Sequence, residues 1–138
     1  KSLIEQYKPD VMLCFGAAVK RDTITAERFA VNIDDSTKPD NNGQYRSGTP
    51  IVGDGPAGLA ATIDVNGLIK TVEGIKASNH AGGYVCNHVF YTALYHTAAL
   101  ELPTKVGFIH LPMPKDRAAL EAQQETAAHI LHFCLTKG

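Results

Sequence analysis

Strands alternating with helices predict an α/β fold, with a largely parallel or mixed sheet held between helices. Three stretches carry that expectation. Val11-Met12-Leu13-Cys14-Phe15 is a run of five apolar residues, the signature of a strand buried on both faces. Lys105-Val106-Gly107-Phe108-Ile109-His110-Leu111 is a β-type run that ends near a histidine and is stopped by Pro112. Between them, Val89, Phe90, Ala93, Leu94 and Ala98 recur at three- and four-residue intervals, the period of a helix with one buried face.

Taken in order, the chain opens on Lys1-Ser2-Leu3-Ile4 without methionine, inside a helix that closes at Pro9-Asp10. That reads as an interior start. The strand at 11–15 leads into Gly16-Ala17-Ala18-Val19-Lys20-Arg21, at the carboxyl end where open α/β sheets place their ligands. Gly16 and its small neighbours permit close approach of backbone to a ligand. As a phosphate loop this stretch fails, lacking spaced glycines and a Lys-Ser/Thr ending. Phe29-Ala30-Val31-Asn32-Ile33 reads as the next strand, with Glu27 just before it. From Asp34 to Gly58 the chain is rich in Asp, Asn, Gly, Pro, Ser and Thr, a long excursion with a hairpin as its expected form. It is either a functional or partner-binding loop or a surface flap with no chemistry. Asp64 to Glu73 is a helix weakened by Gly67, at about 1 kcal/mol relative to alanine. Ile75-Lys76-Ala77-Ser78 is a short strand. After Pro112-Met113-Pro114, Asp116 caps a last helix to about Leu135, with Ala119, Leu120, Ala127, Ile130, Leu131 and Leu135 as its apolar positions.

With 138 residues, one domain spanning 1–138 is expected. A formal charge of −1 and a pI near 6.6 give no basic excess for a nucleic-acid partner. No apolar run approaches the roughly 20 residues that cross a bilayer. Three cysteines, Cys14, Cys86 and Cys134, show no short-range pairing pattern and follow no leader, so a reducing cytoplasm is the expected setting. His129 and His132 lie three apart on the last helix, a spacing that can share a metal, but no carboxylate or cysteine pattern completes a site. Cations near a helix carboxyl end are the ordinary reading of that pair.

The chemistry-bearing stretch is Asn79-His80-Ala81-Gly82-Gly83-Tyr84-Val85-Cys86-Asn87-His88, a glycine-bearing turn that delivers a cysteine to the first turn of a helix. Unpaired N–H groups and the positive dipole end there favour a thiolate. Cys86 is therefore either a nucleophile or a small buried apolar residue. Cys14, inside an apolar run, is core packing. His110, at a strand exit, is either a satisfied loop histidine or a neutral imidazole positioned to take a proton from a thiol. Glu27 is either a solvated surface group or the third member that orients such an imidazole. Spacing alone does not choose it over Glu5, Asp22 or Glu73.

Five blocks carry a family resemblance. Ala81-Gly82-Gly83-Tyr84-Val85-Cys86-Asn87, Gly107-Phe108-Ile109-His110-Leu111-Pro112, Thr23 to Asn32, Pro39-Asp40-Asn41-Asn42-Gly43-Gln44 and Asp54-Gly55-Pro56-Ala57 resemble pyroglutamyl peptidase I, the pyrrolidone carboxyl peptidases. The likeness runs from about Lys1 to Leu111. It implies a three-layer α/β/α sandwich of the phosphorylase/hydrolase type. It also implies a segment before Lys1, with a first strand and a loop that walls the substrate pocket, which this sequence lacks.

By the resemblance, Cys86, His110 and Glu27 are catalytic, and Tyr84, Val85, Phe15 and Ala17 lie at the substrate. The implied reaction removes an N-terminal pyroglutamyl residue from a peptide through a thioacyl enzyme, with no metal or organic cofactor. It is expected to proceed in a homo-oligomer, a tetramer or dimer. Two positions depart from the family: Ala17 stands where many members have a glutamine that contacts the ring, and Thr37 where they have an arginine. Both bear on specificity and rate. Two rivals stand beside this reading. One is a catalytically silent relative serving as a subunit or binding module. The other is a related sandwich handling nucleosides or phosphate, for which only Lys20-Arg21 offers anion contacts.

Overall fold

The computed structural model describes residues 2–39 and 42–137. Lys1, in the opening helix, and Asp40 and Asn41, in one of the five blocks, lie outside the described residues. Helix α1 (Ser2–Tyr7) leads to β1 (Val11–Ala17), β2 (Ile24–Glu27) and β3 (Phe29–Val31). Then follow β4 (Gly58–Ala60), α2 (Val65–Thr71), β5 (Ile75–Ser78), α3 (Val85–Ala99), β6 (Lys105–Leu111) and α4 (Arg117–Thr136). Four strands form the main sheet in the order β1-β6-β2-β5. β1 runs parallel to β6 and β2 parallel to β5, while β2 and β6 meet antiparallel. β3 and β4 form a separate antiparallel pair. Among the described residues no helix is long and apolar enough to cross a membrane.

The alternation of each strand sends side chains into two cores, one on either face of the sheet. One joins Ile24, Ala26, Ile75 and Ile109 to Leu68 of α2 and to Ile130, Phe133 and Cys134 of α4. The other joins Val106 and Phe108 to Ile4 of α1 and to Phe90, Tyr91 and Leu94 of α3. Helices therefore cover both faces, giving the three layers that were expected. β6, flanked on both sides, is the strand that is buried almost throughout.

Several elements differ from the sequence expectation. The run 11–15 is a strand, but β1 pairs only with β6 among the described residues, and Val11, Met12, Leu13 and Cys14 are half-buried. Ile24–Glu27, unforeseen as a strand, sits inside the main sheet, and the strand at 29–33 shortens to β3 in the small one. Among the described residues the stretch from Asp34 to Gly58 forms no hairpin of its own: a bridge from Asp34 to Thr49 closes its first part, and β3 and β4 pair across the whole excursion. Along α3 the buried face is Asn87, Phe90, Tyr91, Ala93, Leu94 and Thr97, whereas Val89 and Ala98 are exposed. On α4, Leu120, Leu131 and Leu135 face outward. Asp116 caps α4 as read, accepting from Ala119 N–H at 2.8 Å, while Asp64, expected as the first helical residue, is the cap of α2 and accepts from Gly67 N–H at 2.8 Å. Gly67 also leaves room for the Asp64 carboxylate, which a β-carbon there would strike.

Cys14 packs in the α3-side core, and burial pushes its thiol pKa up, so it stays a neutral thiol. Cys14→Ser is expected to lower unfolding stability by about 1 kcal/mol. The urea midpoint reads that loss.

Candidate active site

Cys86 is the second residue of α3, whose N-cap, Tyr84, makes no side-chain hydrogen bond to the helix. The first-turn N–H groups, which have no intrahelical acceptor, are thus left without a side-chain cap. The turn before it is shaped by glycine. Gly82 has φ +89°, and a β-carbon on Gly83 would lie 2.7 Å from the Asp35 carbonyl oxygen. That close approach lets Asp35 N–H donate to the Gly83 carbonyl at 2.7 Å. Asn87, fully buried, locks the helix start to β3 by accepting from Val31 N–H and donating to the Val31 and Ile33 carbonyls at 2.9–3.0 Å.

His110 lies near the carboxyl end of β6, and the parallel register sets it opposite Gly16 of β1. A β-carbon on Gly16 would lie 2.8 Å from Cys86 Sγ and 2.9 Å from Phe108 Cζ. The close approach anticipated at Gly16 is therefore made by the thiol itself. Gly16→Ala is expected to displace Sγ and cut kcat/KM about tenfold or more. Steady-state kinetics beside a denaturation curve separates this from unfolding.

Glu27, at the end of β2 and 0% exposed, accepts from His110 Nδ1 at 2.8 Å. The antiparallel pairing of β2 with β6, Thr25 opposite His110, brings the two together across 83 residues. Arg21 Nη1 lies 2.8 Å from the same oxygen, Oε1, and also meets Thr25 Oγ1. Its Nη2 donates to the His80 carbonyl at 3.1 Å. Arg21 went unrecognised in the sequence except as a possible anion contact, and it is committed to Glu27 instead. Nothing local marks a charge pair of this kind.

Burial by itself would lower the pKa of His110. Hydrogen bonding to Cys86 and Glu27, with the charges of both, outweighs it and pushes the value up to about 9. The ring is therefore an imidazolium at neutral pH, in place of the neutral base expected from sequence. Cys86, His110 and Glu27 form a continuous line from sulfur to buried carboxylate, an arrangement suited to thiol acyl transfer.

The remaining candidates are dispersed. Tyr84 and Val85, both exposed, line a cavity of about 140 Å³ with Lys38, Arg46 and His88. Tyr84 donates its hydroxyl to the Pro39 carbonyl at 2.9 Å, fastening that loop to the turn before Cys86. His88 Nδ1 and Arg46 both meet the buried Asp34 carboxylate, at 2.9 and 2.8 Å, a contact absent from the sequence reading. Phe15 and Ala17 are not brought to the thiol. Strand alternation turns them to the face opposite Gly16, so Gly16 is the β1 residue against Cys86. Thr37 is exposed on the loop. His129 and His132 line a separate cavity with Glu73, and among the described residues no three His, Cys, Asp or Glu side chains are grouped to hold a metal.

The family model described as pyroglutamyl peptidase matches residues 1–132. The chain belongs to the pyroglutamyl peptidase family. It is 38% identical to the pyrrolidone-carboxylate peptidase of Bacillus cytotoxicus over 128 residues, covering 90% of this chain and 60% of that protein. The corresponding Brevibacillus brevis protein is 40% identical over 129 residues, covering 91% and 60%. A mutant pyrrolidone carboxyl peptidase from Pyrococcus furiosus superposes with a TM-score of 0.89 at 30% identity, over 97% of this chain and 73% of that one. The Thermococcus litoralis pyrrolidone carboxyl peptidase gives 0.85 at 30% identity, over 96% and 70%. The chain spans about 60% of the length of these curated relatives. Family and three-layer fold thus agree with the sequence resemblance.

Proposed function

We propose that the chain removes N-terminal pyroglutamyl residues from peptides by thiol chemistry at Cys86. Family membership supports the substrate class, and the Cys86–His110–Glu27 line is the observation that carries the mechanism. The thiolate of Cys86 attacks the carbonyl joining the pyroglutamyl ring to the next residue. The new oxyanion is taken up by first-turn N–H groups of α3, which no side chain caps. Imidazolium at His110 gives its proton to the departing amine as the C–N bond breaks, leaving a thioacyl enzyme. Neutral His110 then takes a proton from water, which attacks the thioester, and pyroglutamate leaves as the thiolate and imidazolium are restored. Glu27 fixes the ring's orientation and balances its charge throughout. The residues need no metal or organic cofactor for these steps.

Tyr84 and Val85 are proposed to meet the uncharged pyroglutamyl ring, whereas Phe15 and Ala17, turned to the other face of β1, do not reach it. Alanine at position 17 supplies no side-chain hydrogen bond to the lactam, and Thr37 supplies no cation, so a lowered rate is expected. We further read residues 1–138 as one domain, working in the cytoplasm as a homodimer or homotetramer, with peptides rather than nucleic acid as its partners. The test is release of a chromogenic amine from L-pyroglutamyl and L-prolyl amides by the folded chain. Hydrolysis of the pyroglutamyl amide alone supports the reading; hydrolysis of neither by a folded chain favours the silent relative.

A further inference from the structure

The Glu27 carboxylate is compensated in an uneven way. Both cations near it converge on one oxygen: His110 Nδ1 and Arg21 Nη1 each lie 2.8 Å from Oε1. The other oxygen, Oε2, is buried and, among the described residues, has no hydrogen-bond partner. A buried carboxylate with a single cationic partner is stranded whenever that partner loses its charge, which is costly. In the proposed reaction His110 does lose its charge, once per turnover. Arg21 keeps its charge at every pH of interest and so holds Glu27 ion-paired through that interval.

The guanidinium also links two parts of the site. Its Nη2 donates to the His80 carbonyl, inside the turn that delivers Cys86. His80 Nδ1 in turn accepts from Gly82 N–H at 2.8 Å, within the same turn. Arg21 is itself fixed by its backbone N–H donating to Ala18 at 3.0 Å, and its side chain is only 25% exposed.

We infer that Arg21 is a positioning residue for the Glu27–His110 pair: sharing Oε1 with the imidazole, it holds the acid against the nucleophile turn and limits how firmly that acid retains the ring's proton. The inference rests on the peptidase reading for its effect on turnover, but not for its effect on His110. Among the described residues, the charged and titratable groups that bear on His110 are Cys86 from α3 and Glu27 from β2, with Arg21 from the β1–β2 connection on the same Glu27 oxygen as the ring; Gly16 of β1 lies opposite His110. Of these, Arg21 alone repels the proton on the ring. Removing its charge leaves Glu27 to the imidazolium alone, so the ring holds its proton more tightly.

The test compares the chain with Arg21→Met and Arg21→Lys, each first shown to melt cooperatively. Arg21→Gln replaces the methionine variant if that one does not fold. Ring-proton NMR titration of His110, assigned through His110→Gln, is the direct readout. The midpoint is expected to rise by about half a pH unit or more in Arg21→Met and to stay near the parent in Arg21→Lys. With a pyroglutamyl amide, kcat is expected to fall about tenfold in Arg21→Met, with KM held within about twofold and most of the rate recovered in Arg21→Lys. An unchanged or lowered midpoint overturns the inference, since a residue that merely propped Glu27 in place would release the imidazole and lower it. A lysine variant no better than methionine overturns it too. A parent without turnover whose His110 midpoint still rises in Arg21→Met would sink the peptidase reading and leave the Arg21 link standing. Turnover with no such rise would do the reverse.

Discussion

Cys86→Ala is expected to lower kcat by at least about 10⁴-fold while leaving the melting curve of the parent nearly unchanged. The activity loss follows from the removal of the only atom that can form the thioacyl bond. The small stability change follows from the packing. Cys86 is half-buried at the edge of the α3-side core, so little packing is lost, and alanine is a good residue for a helix. The control is Cys14→Ser, whose loss falls on stability instead. Assay and denaturation of both variants side by side decide the matter. Equal loss of turnover in two folded variants would remove Cys86 from the role of nucleophile.

Glu27→Gln is expected to cut kcat/KM by about 10³-fold or more, the scale seen when the acid behind a catalytic imidazole is made an amide. Three effects combine. The amide withdraws the charge that stabilises imidazolium, it can present a donor to Nδ1 and so reverse the tautomer, and it leaves Arg21 with an uncompensated cation. The pH dependence gives the sign. His110 in the parent keeps its proton until about pH 9, and activity that uses that proton should decline through the same range. Without the carboxylate the limb moves down toward the ordinary histidine value, near 6.5. A pH–rate profile of Glu27→Gln that keeps its alkaline limb at about 9 would show that Glu27 has no electrostatic hold on the ring.

Legibility from sequence followed the range of the interactions. α4, β5 and β6 were readable because their signals are local: a capping aspartate, a short β-type run, a stop at proline. β2 was not. Four residues, Ile24-Thr25-Ala26-Glu27, with a charged end, show too short an alternation to stand out, and what makes them a strand is β6 and β5 on either side. β1 reads as more buried than it is because five apolar residues say nothing about the number of neighbours. The outward leucines of α4 show the same limit, since composition does not tell which stripe of a helix faces inward. Cys86 and His110 each had a positional argument, while Glu27 was chosen through the family resemblance. Arg21, Asn87 and the Asp34–His88–Arg46 cluster act across gaps that only the folded chain closes. No spacing rule points to them.

The antiparallel meeting of β2 and β6 has a consequence for how the site assembles. α3 is built from near neighbours, so Cys86 can reach a helix start early, as local structure forms on the submillisecond scale, although the turn before it is held by Asp35 and Arg21 only later. Its imidazole partner is oriented only when Glu27 and His110, 83 residues apart, find each other and the last strand enters between β1 and β2. Closing a loop of that length is the slow event in a chain of this topology. On dilution from denaturant, helical signal is therefore expected to return before any activity does, and for that interval the chain carries Cys86 without an oriented His110. Activity is then a reporter of the final strand insertion, a step that circular dichroism does not single out.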